Sequence, residues 1–343
     1  MKKNRGCFEE EKNVGLEALI KAAFLCHRVQ KEMIGSRKGG IVEKTDRSPA
    51  TVADYGAQAI ICRILKDAFP NDPIVAEENS SLLIRPENQP LLELTVNSVE
   101  QTLGRKVGRQ AVCDWIDLGS GQPDGRFWTL DPIDGTKGFL RLDQYAIALA
   151  LIVEHKVQLG LLACPNLSFH SPVASCPMDN PEAASLSVAV AGEGAYLISL
   201  DRRQSIPLRV SSISDPRQVR LVESFEPSHT DHQTQQRILQ GFENSLSPIR
   251  MDGQTKYSLL ARGEADLYLR LPSPESSGYR EKIWDHAAGS LIVEEAGGVV
   301  SDIHGQRLDF GRGKELSANQ GIAASNGKIH QAVIEAIQRQ LQL

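Results

Sequence analysis

No stretch of this 343-residue chain comes near the roughly 18–20 consecutive apolar residues that a bilayer-spanning helix needs, so no helical membrane anchor is expected. The basic start, Lys2, Lys3 and Arg5, runs into Glu9, Glu10 and Glu11 instead of an apolar segment, and a secretory signal is not expected either. Cys7, Cys26, Cys62, Cys113, Cys164 and Cys176 are scattered, with no Cys-x-x-Cys pair. That spacing argues against a disulfide framework and against a zinc ribbon, and it suits a cytoplasmic protein with free thiols. A basic surplus is also lacking: the formal net charge is −5, which excludes a nucleic-acid polymer as the natural partner. There is no low-complexity tract and no internal repeat. A small anionic substrate stays compatible with these numbers only where local cations or metal ions overcome the overall negative field.

What is present is an ordinary globular composition, 41% hydrophobic and 24% charged, in a chain long enough for one large or two medium domains. Apolar residues at Leu16, Leu19, Ile20, Ala23, Phe24, Val29 and Met33 predict a first helix. After a Ser48-Pro49 turn, a second helix places Ala57, Ile60, Ile61, Ile64 and Leu65 on one face, with Asp54 in its first turn on the same side. That carboxylate either complements the helix dipole or points into a site at the helix end. "DPIVAEENS" is a short strand ending in Glu77-Glu78. Residues 80–125 read as an insertion with one helix around 92–103, loop-like at "DLGSGQPDGR". "RFWTL" is a strand that delivers Asp131. "QYAIALALIVEHKVQLGLLACPN" and "SLSVAVAGEGAYLISL" are strand pairs, turning at "EHK" and at Gly192/Gly194.

From about residue 208 the pattern alternates strand and helix: "VRLVES", a helix near 231–241, "SPIRMDG", helical "KYSLLARGEA", then "DLYLRLP". A last helix opens near Asp285 and stops at Gly297-Gly298. The expected division is 1–207 for an N-terminal α+β domain and 208–343 for a C-terminal α/β domain, changing near "SIPLRV".

Acidic groups therefore stand at the ends of several elements: Asp54, Glu77-Glu78, Asp131 with Asp134, and Asp285. Hard divalent ions such as Mg²⁺ take oxygen ligands and keep open positions for phosphate oxygens. In "DPIDG" the proline lets Asp131, the Ile133 carbonyl and Asp134 face one ion. An EF-hand loop fails here, because its third, fifth and twelfth positions would be Ile133, Gly135 and Leu142. Gly135-Thr136 opens a predicted helix whose backbone N–H groups suit a phosphate, and the Thr136 hydroxyl is placed to hold an attacking water. Together these parts describe metal-assisted hydrolysis of a phosphate ester. Taken singly, each has a plain alternative: a screened turn for Asp131/Asp134, a helix cap for Asp285.

"VAEEN", "LDPIDGTKGF" and "WDHAAGSLIVEEAGG", in this order, resemble the signature of the lithium-sensitive, Mg²⁺-dependent inositol monophosphatase superfamily. The stretches "DRSPATVADYGAQAI", "GRFWTLDPIDGTKGFLR", "KYSLLARGEADLYLRLP" and "YREKIWDHAAG", with the long insertion, are similar to its 3′(2′),5′-bisphosphate nucleotidase branch. The resemblance runs from about residue 15 to 327 and implies a layered αβαβα sandwich. It implies metal ligands at Glu77, Asp131, the Ile133 carbonyl, Asp134 and Asp285, holding about two or three Mg²⁺ ions. Asp54 and Thr136 would position and deprotonate the attacking water, and Gly135 and Thr136 would seat the phosphate. Nucleotide contacts would come from Ser228, His229, Asp252, Lys256 and Arg270. Gly253 departs from the serine usual in the branch, and Ser228-His229-Thr230 aligns only with a shift.

The implied activity removes the 3′-phosphate of adenosine 3′,5′-bisphosphate (PAP), giving AMP, with its sulfated form PAPS as a further substrate. The alternative within the class is an inositol phosphatase; fructose-1,6-bisphosphatase ranks lower. The alternative from another class is a catalytically silent metal or nucleotide sensor, which the presence of every metal and catalytic position disfavours. A cytoplasmic monomer or weak homodimer is expected, with no membrane partner.

Overall fold

The computed structural model describes residues 8–35, 41–44, 49–170, 184–226, 230–272 and 279–342. Helices α1 (Glu9–Gly35) and α2 (Val52–Ala68) lie along one face of a seven-stranded sheet. That sheet runs β3 (Ile74–Ala76), β4 (Arg126–Asp134), β5 (Ala146–Val153), β6 (Lys156–Ser168), β7 (Ala184–Val190), β8 (Gly194–Ser199), β9 (Ser205–Pro207), in this spatial order. A small antiparallel pair, β1 (Ile41–Glu43) and β2 (Pro49–Thr51), precedes α2. Only β3 and β4 pair in parallel; the rest of the large sheet is antiparallel.

Strand β5 shows how the sequence sorts the two faces. Ile147, Leu149 and Leu151 enter the core shared with α1 and α2, while Ala146, Ala148 and Ala150 enter the opposite core. The alanine face is short for a reason. α8 (Ala287–Glu295) lies against it so closely that a Cβ on Gly160 of β6 would meet the Ala288 carbonyl oxygen at 2.7 Å. The β5–β6 connection turns at Glu154 and His155, both left-handed (φ 48° and 64°), as a type I′ hairpin turn requires.

Helix α8, together with α7 (Thr255–Ala261), separates the large sheet from a second, five-stranded sheet. Its order is β11 (Ile249–Arg250), β10 (Leu221–Glu223), β12 (Leu267–Arg270), β14 (Ile322–Ser325), β13 (Val299–Ser301). Tyr268 and Ala324 face α7 and α8; Leu267, Leu269 and Ala323 face the other way, onto α6 (His232–Gly241) and α9 (His330–Leu341). The chain is thus layered helix, sheet, helix, sheet, helix, as the resemblance implied.

The insertion differs from its sequence reading. Besides α3 (Gln89–Leu103) it forms α4 (Arg109–Asp117), whose Val112, Cys113 and Ile116 pack on the first core. One apolar stripe only two turns long is too little periodicity to register as a helix in sequence. The change of sheet falls between Pro207 and Leu221, and the helices between the sheets serve both.

Candidate active site

The acidic groups converge at one end of the large sheet. Strand β4 pairs with β5 until a register shift between Asp131 and Asp134. Pro132, which has no N–H to donate, sits within that irregularity. The Ile133 N–H donates to Asp131 Oδ1 at 3.0 Å, folding that carboxylate back over the turn. The parallel neighbour β3 delivers Glu77 one residue past its end, with the Glu77 N–H donating to the Leu130 carbonyl at 3.2 Å. Asp285 arrives from the other half, on a single 3-10 turn, Ile283–Asp285, ahead of α8. It does not cap α8, whose N-cap is His286 without a side-chain bond, so the plain cap reading of Asp285 does not hold.

These carboxylates sense one another. Burial, then Glu77, Asp134 and Asp285, pushes the Asp131 carboxyl well above its ordinary range. Burial and Asp134 do the same for Asp285. Asp134 is raised by burial although Lys256, Arg270 and His286 oppose the rise. A buried set of oxygen donors whose charges repel is suited to hard divalent cations. His286 does not join them: its Nδ1 is 2.9 Å from the Tyr257 hydroxyl and its Nε2 2.9 Å from Glu281 Oε2, so both ring nitrogens are engaged.

Asp54 serves two purposes at once. It is the third residue of a capping box at the start of α2, its Oδ2 accepting from the Thr51 N–H at 2.7 Å and the Thr51 hydroxyl at 2.6 Å. Its Oδ1 faces the Thr136 hydroxyl at 3.3 Å, which also lies 3.2 Å from the Ile133 carbonyl. Complete burial raises the Asp54 carboxyl to about 6, with Lys44 opposing the rise. One oxygen of Asp54 thus belongs to the start of α2 and the other faces Thr136. Helix α5 (Thr136–Leu140) is a single turn, so anion binding at Gly135 and Thr136 would rest on individual N–H groups more than on a summed dipole.

The glycines of "DGTKG" are explained by what docks there. The 252–253 loop of the second half lies against them: a Cβ on Gly135 would meet Asp252 Cβ at 3.0 Å, and one on Gly138 would meet Asp252 Oδ2 at 2.7 Å as well as the Gln144 carbonyl oxygen of its own half at 2.2 Å. Gly253 is left-handed (φ 59°), and a Cβ there would meet the Asp134 carbonyl oxygen at 2.0 Å. The position where the branch usually has serine thus touches the metal-candidate loop itself.

Among the nucleotide candidates, Lys256 is buried, its Nζ donating to the Gly253 carbonyl at 2.6 Å and lying 5.2 Å from the Tyr268 ring centre. Burial lowers it to about 8, against the pull of Asp134. Arg270 is half-buried and paired with Glu281 at 2.9 Å. Neither is a solvated surface charge. Asp252 is buried and its carboxylate is already held by Arg141, a residue sequence reasoning passed over. Exposed Lys137 pairs with Glu226 at 2.7 Å. Half-buried Trp284 packs on the second core, as a packing residue would. Ser228 and His229 lie outside the described residues.

Other polar residues that hold the site also went unread. Lys44 pairs with Glu77 at 2.7 Å and with Glu78, which is buried and not solvated. Gln254 donates to the Trp284 carbonyl at 2.8 Å, accepts from the Gly289 N–H at 3.1 Å and bonds Asp134, joining both halves. Gln58, fully buried on α2, donates to the Glu78 carbonyl at 2.6 Å and the Ile116 carbonyl at 2.8 Å, and accepts from the Glu78 N–H at 3.0 Å. Their partners are distant in sequence, so no local pattern marks them. Truncating Gln58 to alanine leaves buried backbone groups unpaired, each at about 1–3 kcal/mol. Chemical denaturation should show Gln58→Ala losing about 3 kcal/mol; a loss below about 1 kcal/mol would mean water replaces the amide.

The model of the Inositol monophosphatase family matches residues 11–342. A 3′(2′),5′-bisphosphate nucleotidase of Schizosaccharomyces pombe is 42% identical over 342 residues, 96% of this chain and 95% of that protein. The 3′(2′),5′-bisphosphate nucleotidase 1 of Arabidopsis thaliana is 41% identical over 348 residues, 96% of each chain. Among solved structures, an inositol monophosphatase from Anabaena superposes with a TM-score of 0.62 at 20% identity, covering 97% of this chain and 96% of that one. An IMPase of Thermotoga maritima gives 0.63 at 20%, covering 97% and 98%.

Proposed function

The chain belongs to the inositol monophosphatase family, in its 3′(2′),5′-bisphosphate nucleotidase branch, and from that premise we propose that it hydrolyses the 3′-phosphate of PAP to AMP and phosphate, with PAPS as a further substrate. What supports the nucleotide reading is that buried Lys256 holds the Gly253 carbonyl at 2.6 Å in the loop that touches Asp134. A cation of the second sheet's half thus stands beside the acidic cluster, and Arg270 with it opposes the rise of Asp134. A second phosphate on the substrate gives those cations an anion to hold. A monophosphate ester has no charge left for them once its only phosphate is in the acidic cluster.

The family is metal-dependent, and the donors fit Mg²⁺: Glu77, Asp131, Asp134, Asp285 and the Ile133 carbonyl would hold about two or three ions. Bound there, Mg²⁺ supplies positive charge beside the ester phosphate and makes a neighbouring water more acidic. The remaining steps fall to the chain's own groups. With its hydroxyl proton donated to Asp54 Oδ1, Thr136 presents oxygen lone pairs that accept a proton from the attacking water. Asp54, held by two bonds from Thr51 on its other oxygen, receives the relayed proton without rotating. A carboxyl near 6 is ionised at neutral pH yet basic enough to take it. The N–H groups of Gly135 and Thr136 seat the phosphate, and Lys256 and Arg270 the remaining charge of the nucleotide. Residues 1–207 would supply the water-activating pair and most metal ligands, and 208–343 Asp285 and the nucleotide contacts. No helix among the described residues is long and apolar enough to cross a membrane, and we take the cytoplasm as the working compartment.

Phosphate release from PAP, PAPS, inositol 1-phosphate and fructose 1,6-bisphosphate, each with Mg²⁺ and with EDTA, tests this. The expected result is a strong preference for PAP that EDTA abolishes. Equal turnover of inositol 1-phosphate would sink the nucleotide reading, and no metal-dependent release would sink the hydrolase reading. Lys256 adds a pH signature. Because it titrates near 8, raising the pH through that value removes a positive charge that an anionic substrate uses. kcat/KM for PAP should therefore fall on the alkaline side of about pH 8. Lys256→Met should flatten that limb at a level about tenfold to a hundredfold lower; an unchanged limb would assign the titration to another group.

A further inference from the structure

Glu281 sits between the two functions of the site, bonded to a residue of each. It is buried, and its backbone carbonyl is held by the Leu316 N–H at 2.8 Å, so the side chain starts from a fixed point. Oε2 alone meets two partners, Arg270 Nε at 2.9 Å and His286 Nε2 at 2.9 Å. Arg270 leads to the nucleotide. His286 directly follows Asp285, and its other nitrogen is fixed 2.9 Å from the Tyr257 hydroxyl on α7. With both nitrogens held, the imidazole cannot turn, and the 3-10 turn that presents Asp285 is locked at its C-terminal end. A carboxylate so near the acidic cluster adds to the repulsion that Asp285 feels. Arg270 offsets that charge, and the His286 ring bonds the same oxygen.

We propose that Glu281 is a positioning residue that couples nucleotide binding to metal binding: one carboxylate oxygen orients Arg270 toward the nucleotide and, through His286, holds Asp285 for the metal. The inference rests on the nucleotidase reading for the Arg270 arm and on the acidic cluster alone for the Asp285 arm.

Steady-state kinetics with PAP and calorimetric titration with Mg²⁺ test it on the full chain. Glu281→Gln should raise the KM for PAP about tenfold and weaken Mg²⁺ binding by about tenfold or more, since partners that orient metal ligands typically contribute that much. In an Arg270→Met background, Glu281→Gln should raise the PAP KM no further while still weakening Mg²⁺. Tyr257→Phe, which releases only the far side of His286, should weaken Mg²⁺ and leave the PAP KM unchanged; it serves equally if the Glu281 variant does not fold. Unchanged Mg²⁺ affinity in Glu281→Gln or, where that variant does not fold, in Tyr257→Phe overturns the coupling, as do fully additive KM effects of Glu281→Gln and Arg270→Met. The titration involves no ester, so failure of the nucleotidase reading would show separately, as lost PAP preference in the unaltered protein.

Discussion

Asp134→Asn should leave a folded protein whose turnover is lower by about 10³-fold or more, the equivalent of about 4 kcal/mol at the transition state. The substitution keeps size and hydrogen-bonding capacity and removes one charge from a cluster in which Asp131, Asp285 and Glu77 already oppose each other. That cluster gives the variant a second, opposite signature. Asp134 is raised in the folded state, so between its unfolded and folded values the native protein binds more protons than the unfolded chain. Stability then falls as pH rises through that window, and above the unfolded value the buried carboxyl is a net cost. Under EDTA at neutral pH, Asp134→Asn should accordingly melt higher than the unaltered protein. With Mg²⁺ the order should reverse, because a ligand at a hundredfold its Kd adds about 2.7 kcal/mol to the protein that binds it. Thermal melts with and without Mg²⁺, beside turnover, decide the matter. Full activity, or a variant less stable than the parent in EDTA, would remove Asp134 from the metal site.

Thr136→Ala should cost about 10²–10³ in kcat while leaving the Mg²⁺-induced stabilisation intact, because the task proposed for the hydroxyl is to pass a proton to Asp54. Thr136→Ser keeps that oxygen and should retain most of the activity. Asp54 itself is a less clean position, since its Oδ2 closes the capping box of α2 and removing it would also cost about 0.5–2 kcal/mol of stability. A Thr136→Ala protein with more than half the parent's kcat would mean that water reaches Asp54 directly. A lost Mg²⁺ response would mean that Thr136 belongs to the metal site.

The parts legible in sequence were those whose cause is local. Alternation in "AIALALIV" reports two buried faces of a strand, and Thr51 with Asp54 sets a helix start, because each depends on neighbours within a few residues. The carboxylates of the site could be named because strand ends and helix starts place them, and the family motifs add their shared purpose. What escaped were burial and partnership. The burial of Lys256 appears only when α7 is packed between two sheets. Nothing in the sequence tells that Lys44 and Gln58 close over Glu78. Gln58, Gln254 and Glu281 act through bonds that cross 20 to 58, 30 to 120 and 5 to 11 positions respectively, some to backbone atoms that carry no sequence signal at all. Gly253 is the reverse case: its departure from serine was visible, but its reason, a backbone oxygen 2.0 Å from where a Cβ would stand, belongs to the other half of the chain.

The middle helices have a mechanical consequence. Because α7 and α8 are the wall of both sheets, Ala148 and Leu162 of one sheet and Tyr268 and Ala324 of the other are parts of a single continuous core. A boundary near residue 208 is then a boundary of chain order and not a hinge. The halves cannot swing apart to admit a nucleotide without tearing that core open. Entry is left to loops and side chains at the rim. A backbone nick in the 208–220 connection should release neither half, and the nicked protein should still melt in one cooperative step.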